Sequence, residues 1–177
     1  FGDDTYVVGD PLAQIVEVDG QGYDVAYAST SYTLGAGVSV EVLSTQTVAD
    51  TAGINLTGNE FAQVIVGNMG SNVLNGGGGA DTLIGLGGAD TFVFDSALGN
   101  GNVDTISDFE AGVDKIALSA QIFGGIGSSL DAAEFQTGSS ATGSGATILY
   151  DQATGSLFYD ADGAGAGQAV LFATVSA

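Results

Sequence analysis

The apolar residues in the centre of the chain recur at a spacing that no helix would produce. Leu56, Ile65, Leu74, Leu83 and Phe92 follow one another nine residues apart. An amphipathic helix would instead place apolar residues three or four positions apart. Each of these residues is the middle of a short triplet. Because side chains alternate across a strand, such a triplet predicts a short β-strand with one side chain facing inward.

The segments between these predicted strands carry glycine at fixed positions. Gly58, Gly67, Gly76 and Gly85 begin the four units GNEFAQVIV, GNMGSNVLN, GGGGADTLI and GLGGADTFV. Glycine permits the positive φ and the close backbone approach that tight turns need. Two units therefore complete one coil, and strands two units apart stack about 4.8 Å from each other. The pattern predicts an all-β fold, a right-handed parallel β-roll (solenoid), over residues 49–95.

The sixth position of each unit carries the candidate chemistry. It is occupied by Gln63, Asn72, Asp81 and Asp90. These side chains and the loop carbonyls of stacked coils would face the same gap. Carboxylate and carbonyl oxygens are ligands that suit Ca²⁺ better than a soft transition metal. We therefore expect several Ca²⁺ ions between the loops.

The charge of the chain agrees with this expectation and excludes several other functions. There are 21 acidic residues and one cation, Lys115, and there is no His or Cys. A zinc site of the usual kind and a catalytic His or Cys are excluded. The net charge of -20 argues against a nucleic-acid partner. Membrane insertion is not expected, because no apolar run approaches the length of about 20 residues that a membrane helix needs. External cations would relieve the mutual repulsion of the acids.

The repeat units resemble the nonapeptide G-G-x-G-x-D-x-U-x of the RTX (repeats-in-toxin) proteins, a calcium-binding solenoid repeat. Residues 76–84 match every specified position, and residues 85–93 depart once, at Leu86. Residues 67–75 carry asparagine at the second and sixth positions, and residues 58–66 are degenerate.

The resemblance implies a set of calcium ligands, made of loop carbonyls and the side chains at position six. One expected site joins Asn68, Gly70 and Asn72 to Gly85, Gly87 and Asp90. A second combines Gly76, Gly78 and Asp81 with the weaker loop at Asn59, Phe61 and Gln63. Two further groups, Gly77, Gly79 and Asp81, and Leu86, Gly88 and Asp90, need downstream acids, for which Asp95, Asp104 and Asp108 are the candidates.

The rest of the chain is expected to flank the roll. Residues 94–118 resemble the segment that closes the solenoid in RTX proteins, and there Asp108 and then Asp104 are the best candidate ligands, while Asp114 with Lys115 is expected to form a salt-bridged turn. Residues 1–48 resemble an irregular β module that follows a truncated repeat. Asp24 in this module is either a copy of the position-six acid or a surface turn.

Residues 96–177 are expected to form a β-rich capping and secretion region. It would contain a short helix near residues 128–137 with Ser129 as its N-cap, then a hairpin over residues 147–163 and a final strand. In this region DADG at residues 160–163 is expected to be an ordinary turn.

The resemblance implies a secreted, non-enzymatic module. Such a module binds Ca²⁺ outside the cell, folds on it, and supports the type I secretion machinery in exporting a larger bacterial protein. Two alternatives from other classes remain open. One is an adhesin or surface-layer module that binds polysaccharide or cell-surface components, with Tyr150, Phe158 and Tyr159 as a platform. The other is an enzyme that uses paired carboxylates.

Overall fold

A computed structural model describes residues 2–176, and this part of the chain is built of β-strands joined by turns. In chain order the strands are β1 (Thr5–Val8), β2 (Val25–Ala28), β3 (Tyr32–Thr33), β4 (Val42–Thr45), β5 (Leu56–Thr57), β6 (Val64–Val66), β7 (Val73–Asn75), β8 (Thr82–Ile84), β9 (Thr91–Phe94), β10 (Asp104–Ile106), β11 (Lys115–Leu118), β12 (Phe135–Thr137), β13 (Thr147–Asp151), β14 (Ser156–Asp160) and β15 (Val170–Val175). Within the described residues no helix is long and apolar enough to cross a membrane.

The strands form two sheets that the chain visits in turn. The larger sheet has the order β1-β2-β4-β6-β8-β10-β15-β14-β13-β12, and the smaller has the order β11-β9-β7-β5-β3. From β3 to β11 successive strands alternate between the two sheets, and neighbours in each sheet are parallel. This topology confirms the predicted parallel β-solenoid.

The nine-residue spacing sets the register of the coil. Ile65 pairs with Leu83 in the larger sheet, and Leu56 and Phe92 flank Leu74 in the smaller sheet. All five side chains are completely buried between the sheets. Burying a leucine or phenylalanine stabilises a fold by about 1.5–3 kcal/mol relative to exposure. The apolar ladder is therefore the core of the solenoid, as the pattern predicted.

The stacking continues on both sides of residues 49–95. Before this segment, β1, β2 and β4 already lie side by side in the larger sheet. After it, β10 extends the larger sheet and β11 the smaller, so the coil runs to Leu118. The strands thus form one stack across the two boundaries that the repeat pattern suggests.

The C-terminal region closes one end of the larger sheet. β15 adds in parallel beside β10, and β13 and β14 form the predicted hairpin. Phe172 in β15 packs edge-on against Phe94 of the coil and Phe123 of the following turn, with ring centroids 5.2 and 5.0 Å apart. These aromatic contacts join the cap to the last coil.

The predicted helix near residues 128–137 is wrong. The segment forms turns, and Phe135–Thr137 is strand β12, paired in parallel with β13. The helix-capping interactions do form, but around Asp131, whose carboxylate accepts the N–H groups of Ala133 and Glu134. Only three residues separate Asp131 from the strand, so a helical turn has no room to propagate.

One loop residue adopts a backbone conformation that its side chain disfavours. Leu86 stands where the repeat calls for glycine, and it has φ 73° in the left-handed region. Its counterpart in the preceding repeat, Gly77, has φ 88°. The loop therefore keeps the glycine conformation although the side chain has changed.

We expect Leu86→Gly to stabilise the calcium-loaded protein by about 0.5–1 kcal/mol. Relief of the left-handed strain is worth about 1–2 kcal/mol, and the added freedom of the unfolded glycine removes about 0.5–1 kcal/mol of that gain. Denaturant unfolding measures the difference.

Asn100→Gly is the matched control, because Asn100 has φ 55° and asparagine tolerates this region well. It should give no comparable gain. A Leu86→Gly protein no more stable than the parent would show that the leucine is unstrained.

Candidate functional site

The turns of the solenoid line up along two edges. At the first edge the loops lead into the larger sheet and cover residues 58–63, 76–81 and 95–103. At the second edge the loops lead into the smaller sheet and cover residues 67–72, 85–90 and 107–114. Each loop stacks on the loop one coil earlier, so residues distant in sequence become neighbours along each edge.

At the first edge the position-six residues form a hydrogen-bonded column. The N–H of Gln63 donates to Oδ1 of Asp81 at 2.6 Å, and the N–H of Asp81 donates to Oδ1 of Asp104 at 3.0 Å. Asp104 begins β10 and aligns with Asp81 in register. The structure thus places Asp104, a predicted ligand, at position six of the next coil.

The second edge repeats this column. The N–H of Asn72 donates to Oδ1 of Asp90 at 2.8 Å, and the N–H of Asp90 donates to Oδ1 of Asp114 at 2.9 Å. Asp108 accepts the N–H groups of Gly85 and Leu86, at 2.9 and 2.8 Å. Asp108 therefore holds the start of the loop in which Asp90 lies.

Asp114 is the acid whose role the sequence did not reveal. The predicted salt-bridged turn with Lys115 is wrong, because the two oxygens of Asp114 accept the N–H groups of Asp90 and Glu110 instead. Insertions in two loops, residues 95–103 and 107–114, hid the relation, since Asp114 lies 24 residues after Asp90 rather than 18. Aligning Ile116 with Phe92 as core residues would have revealed it.

The carboxylates of these columns are buried, and burial raises their pKa values. Asp81, Asp90 and Asp104 are only 1–3% exposed. Burial raises the pKa of Asp81 to about 7, with a smaller contribution from the Asp104 charge. Burial likewise raises the pKa of Asp104 to about 6, opposed by hydrogen bonds from Asp81. The pKa of Asp90 is raised by burial and then by the charges of Asp114 and Asp108.

The residues around Asp81 fit a bound cation. Its Oδ2 atom is buried and has no hydrogen-bond partner within the described part of the chain. A Cβ atom on Gly76 would overlap this same oxygen, and a Cβ on Gly85 would overlap Oδ2 of Asp90. Glycine at position one thus leaves each carboxylate oxygen room within its own loop. Hard oxygen donors of this kind suit Ca²⁺.

The glycine loops bring backbone carbonyls close to the neighbouring coil. A Cβ on Gly79 would lie 2.7 Å from the carbonyl of Phe61, and one on Gly88 would lie 2.7 Å from that of Gly70. Gly79 and Gly88 have φ 98° and 104°, which an L side chain rarely adopts. The stacked loops therefore need glycine for both space and conformation.

The remaining expected ligands differ in their surroundings. Gly78 donates its N–H to the carbonyl of Asn59 at 2.7 Å, and Gly87 donates to that of Asn68 at 3.4 Å. The carbonyl of Gly77 accepts the hydroxyl of Ser96, a residue that the repeat pattern did not single out. Asp95 is exposed and accepts the side-chain amide of Asn75 at 3.0 Å.

The N-terminal coil contains a further acidic cluster. Asp4, Glu17 and Asp24 each place one carboxylate oxygen within 4.8 Å of the others. The N–H of Asp4 donates to Asp24 at 2.8 Å, and the N–H of Asp24 donates to Glu41 at 2.6 Å. Asp24 therefore continues the first-edge column, and the cluster could hold a cation. Glu17 was not predicted because it lies outside any repeat.

The aromatic platform of the polysaccharide hypothesis is not formed as a set. Tyr159 is buried, packs edge-on against Phe123 at 5.3 Å, and donates its hydroxyl to the carbonyl of Gly124. Tyr159 is therefore a core residue of the cap rather than part of an open aromatic surface.

Comparison with known families agrees with this geometry. Residues 22–170 match the family described as Peptidase M10 serralysin C terminal. The chain belongs to this family. The serralysin C-terminal region is an RTX-type, non-catalytic repeat region, and RTX-type domains bind calcium as a class. A search of curated proteins gave no match.

We expect Gly76→Ala to destabilise this serralysin-type region by about 1–3 kcal/mol and to weaken calcium binding. The added methyl group would overlap the carboxylate of Asp81 and push it from its place. Calcium titration and denaturant unfolding of the variant measure both effects.

Gly145→Ala is the matched control, since nothing lies within 4 Å of a Cβ at that position. It should change stability by less than about 0.5 kcal/mol. Equal behaviour of the two variants would mean that the loop tolerates a side chain beside Asp81.

Proposed function

We propose that this chain is a calcium-binding RTX C-terminal module that folds on extracellular Ca²⁺ and supports type I secretion of a larger protein. The observation that carries the proposal is the buried, unpartnered Oδ2 atom of Asp81 in a chain with one cation for 21 acids. A buried carboxylate requires a partner of opposite charge or a proton. Calcium supplies that partner without any cationic side chain.

The proposed ligands are oxygens of the stacked loops. The side-chain ligands are Asp81, Asp90, Asp104, Asp108 and Asp114, with Asp95 at the rim. The carbonyl ligands are Gly76, Gly77, Gly78 and Gly79 at the first edge and Gly85, Leu86, Gly87 and Gly88 at the second. When bound, calcium would neutralise neighbouring carboxylates, and the chain would hold their positions through the backbone N–H groups of Gln63, Asn72, Asp81 and Asp90.

Because the sites exist only in the folded chain, the free energy of calcium binding adds to the free energy of folding. A site that exists only in the folded chain stabilises it by RT ln(1 + [Ca²⁺]/Kd), which is about 1.4 kcal/mol per site at ten times Kd. Extracellular calcium modules have Kd values of about 10⁻⁴–10⁻³ M. Several such sites would favour the unfolded chain in the calcium-poor cytoplasm and the folded chain outside. Secretion of serralysins by the type I route supports the same role here.

The module itself is proposed to be non-enzymatic. Asp81, Asp90 and Asp104 lie close to other acids as members of the two edge columns, where a backbone N–H group occupies one oxygen of each. In the serralysin family the catalytic domain is separate from this region. The proposed activity is therefore calcium-dependent folding rather than catalysis.

We expect Ca²⁺ to raise the thermal midpoint of the chain and Asp81→Asn to remove a large part of that gain. The substitution keeps the size of the side chain but replaces an ion-binding oxygen with an amide. Thermal unfolding followed by far-UV circular dichroism at increasing calcium concentrations measures the thermal midpoint.

Asp19→Asn makes the same change of charge at an exposed position and should leave the calcium response intact. A thermal midpoint that calcium and chelator both leave unchanged would refute the proposed function. Equal responses of the two variants would show that only the total charge matters.

We expect the calcium-free protein to lose stability as pH rises from about 4 to about 7. The pKa values of Asp81 and Asp104 are about 7 and about 6 in the folded chain against 3.8 for the unperturbed group. Across this window the folded state binds more protons than the unfolded state, so the free energy of unfolding falls as pH rises. Denaturant unfolding of the metal-stripped protein at several pH values measures the slope.

Calcium should reverse this trend, because the ion binds the deprotonated carboxylates and competes with protons. Asp81→Asn combined with Asp104→Asn should flatten the calcium-free profile. A calcium-free stability that increases with pH across the window would contradict the burial of ionisable Asp81 and Asp104.

A further inference from the structure

Two loops in the middle of the roll carry amides where the repeat calls for glycine and aspartate. In residues 67–72, the N–H of Asn68 donates to Oδ1 of Asn72 at 2.8 Å, and the N–H of Gly70 donates to Oδ1 of Asn68 at 2.9 Å. A backbone N–H can donate only to the oxygen of an amide side chain. These two hydrogen bonds therefore fix which way each amide faces.

The amide nitrogens consequently face the preceding coil. Nδ2 of Asn72 donates to the carbonyl of Ile54 at 2.7 Å, and Nδ2 of Asn68 donates to the carbonyl of Ala52 at 2.8 Å. Nδ2 of Asn72 also donates to Oδ1 of Asn68 at 3.1 Å. The carbonyls of Ala52 and Ile54, on the preceding coil, thus already have N–H partners.

The loop at residues 58–63 uses the same arrangement on the opposite edge. Phe61 donates its N–H to Oδ1 of Asn59 at 3.0 Å, and Nδ2 of Asn59 donates to the carbonyls of Gly35 and Val38 at 2.8 and 2.7 Å. Nε2 of Gln63 donates to Oδ1 of Asn59 at 2.7 Å. On both edges, therefore, amide side chains join a loop to carbonyls of the preceding coil.

Three of these four amides are as deeply buried as the aspartates one coil later, and Asn59 is 9% exposed. Asn68, Asn72 and Gln63 are 0–3% exposed, and Asp81 is 1% exposed. The difference lies in the hydrogen bonds: both polar atoms of each asparagine and of Gln63 are bonded, whereas Oδ2 of Asp81 is not. An amide N–H group that points into the gap between two coils donates to the carbonyls there, and its partial positive charge repels a cation.

We infer that side-chain amides replace calcium ions in these two gaps. Asn59 with Gln63, and Asn68 with Asn72, join adjacent coils through N–H donors that are present whether or not calcium is. The roll then has an ion-independent middle, residues 56–75, followed by an ion-dependent part, residues 76–118. This rests on the proposed function for the second part, and it gives Asn68 and Asn72 a role other than the ligation expected from the RTX resemblance.

Hydrogen exchange read by mass spectrometry tests the inference on the unmodified protein. After calcium is stripped, we expect the amides of residues 56–75 that donate to the preceding coil, such as those of Val64 and Met69, to stay protected. We expect the amides of residues 82–118 to lose protection by at least tenfold in rate. Added calcium should protect the second part and change the first by less than about twofold.

The possible failures are distinguishable. Loss of protection over both parts on calcium removal, with recovery of both on its addition, would overturn the amide inference and leave the proposed function standing. If neither part responds to calcium, the proposed function fails and the inference fails with it.

A variant that restores the consensus repeat provides the second test. Asn68→Gly combined with Asn72→Asp restores the repeat consensus in residues 67–75. We expect this variant to bind at least one more calcium ion than the parent by native mass spectrometry. We also expect residues 67–75 to lose protection when calcium is removed.

Asn100→Asp is the control, since it adds the same charge at an exposed turn and should leave the number of bound ions unchanged. A consensus-repeat variant with the parent's ion count and the parent's protection in calcium-free buffer would overturn the inference. So would a parent that already binds an ion between residues 52–54 and 67–72.

Discussion

The structure depends on how a chain with almost no positive charge can bury carboxylates. Asp81, Asp90 and Asp104 lie inside the stack of loops, each accepting a backbone N–H from the preceding coil. Such hydrogen bonds position a carboxylate but leave it charged, and taking a charge out of water is costly. Lys115, the single cation, has an exposed side chain on β11, and its backbone N–H donates to the carbonyl of Asp90 at 2.8 Å. The compensating charge has to come from solution.

The solenoid converts this local requirement into a property of the whole chain. Each coil supplies half of a gap, so an ion bound between two loops would hold two coils in register. Leu74 and its buried neighbours stabilise the same coils through apolar contact, which needs no ion. Stability is therefore a sum over neighbouring coils, as in other repeat proteins. On the proposed function, coils joined by Asn68 and Asn72 would need calcium less than coils joined by Asp81 and Asp90.

The regular part of this fold was predictable because its period is strict. Leu56 to Phe92 identified the core, and the glycines identified the turns, so the sheets and the place of Asp81 followed. The role of Asp114 was not predicted because insertions in two loops broke the nine-residue spacing. Only the alignment of the core residues Ile116 and Phe92 shows that Asp114 corresponds to Asp90. The failed helix near Asp131 shows a second limit. The predicted N-cap was Ser129, whereas Asp131 accepts the N–H groups of Ala133 and Glu134, and pairing of Phe135–Thr137 with β13 decided the conformation.

The most direct test of this account is anomalous diffraction from crystals grown in calcium, or in a lanthanide with stronger signal. The account predicts peaks about 2.3–2.6 Å from Oδ2 of Asp81 and from the carboxylate of Asp90, between stacked loops. It also predicts that no peak lies between Asn72 and the carbonyl of Ile54. Loops that stack as described here with no anomalous peak beside Asp81 or Asp90 would contradict it, because the buried charge would then be neutralised by a proton alone.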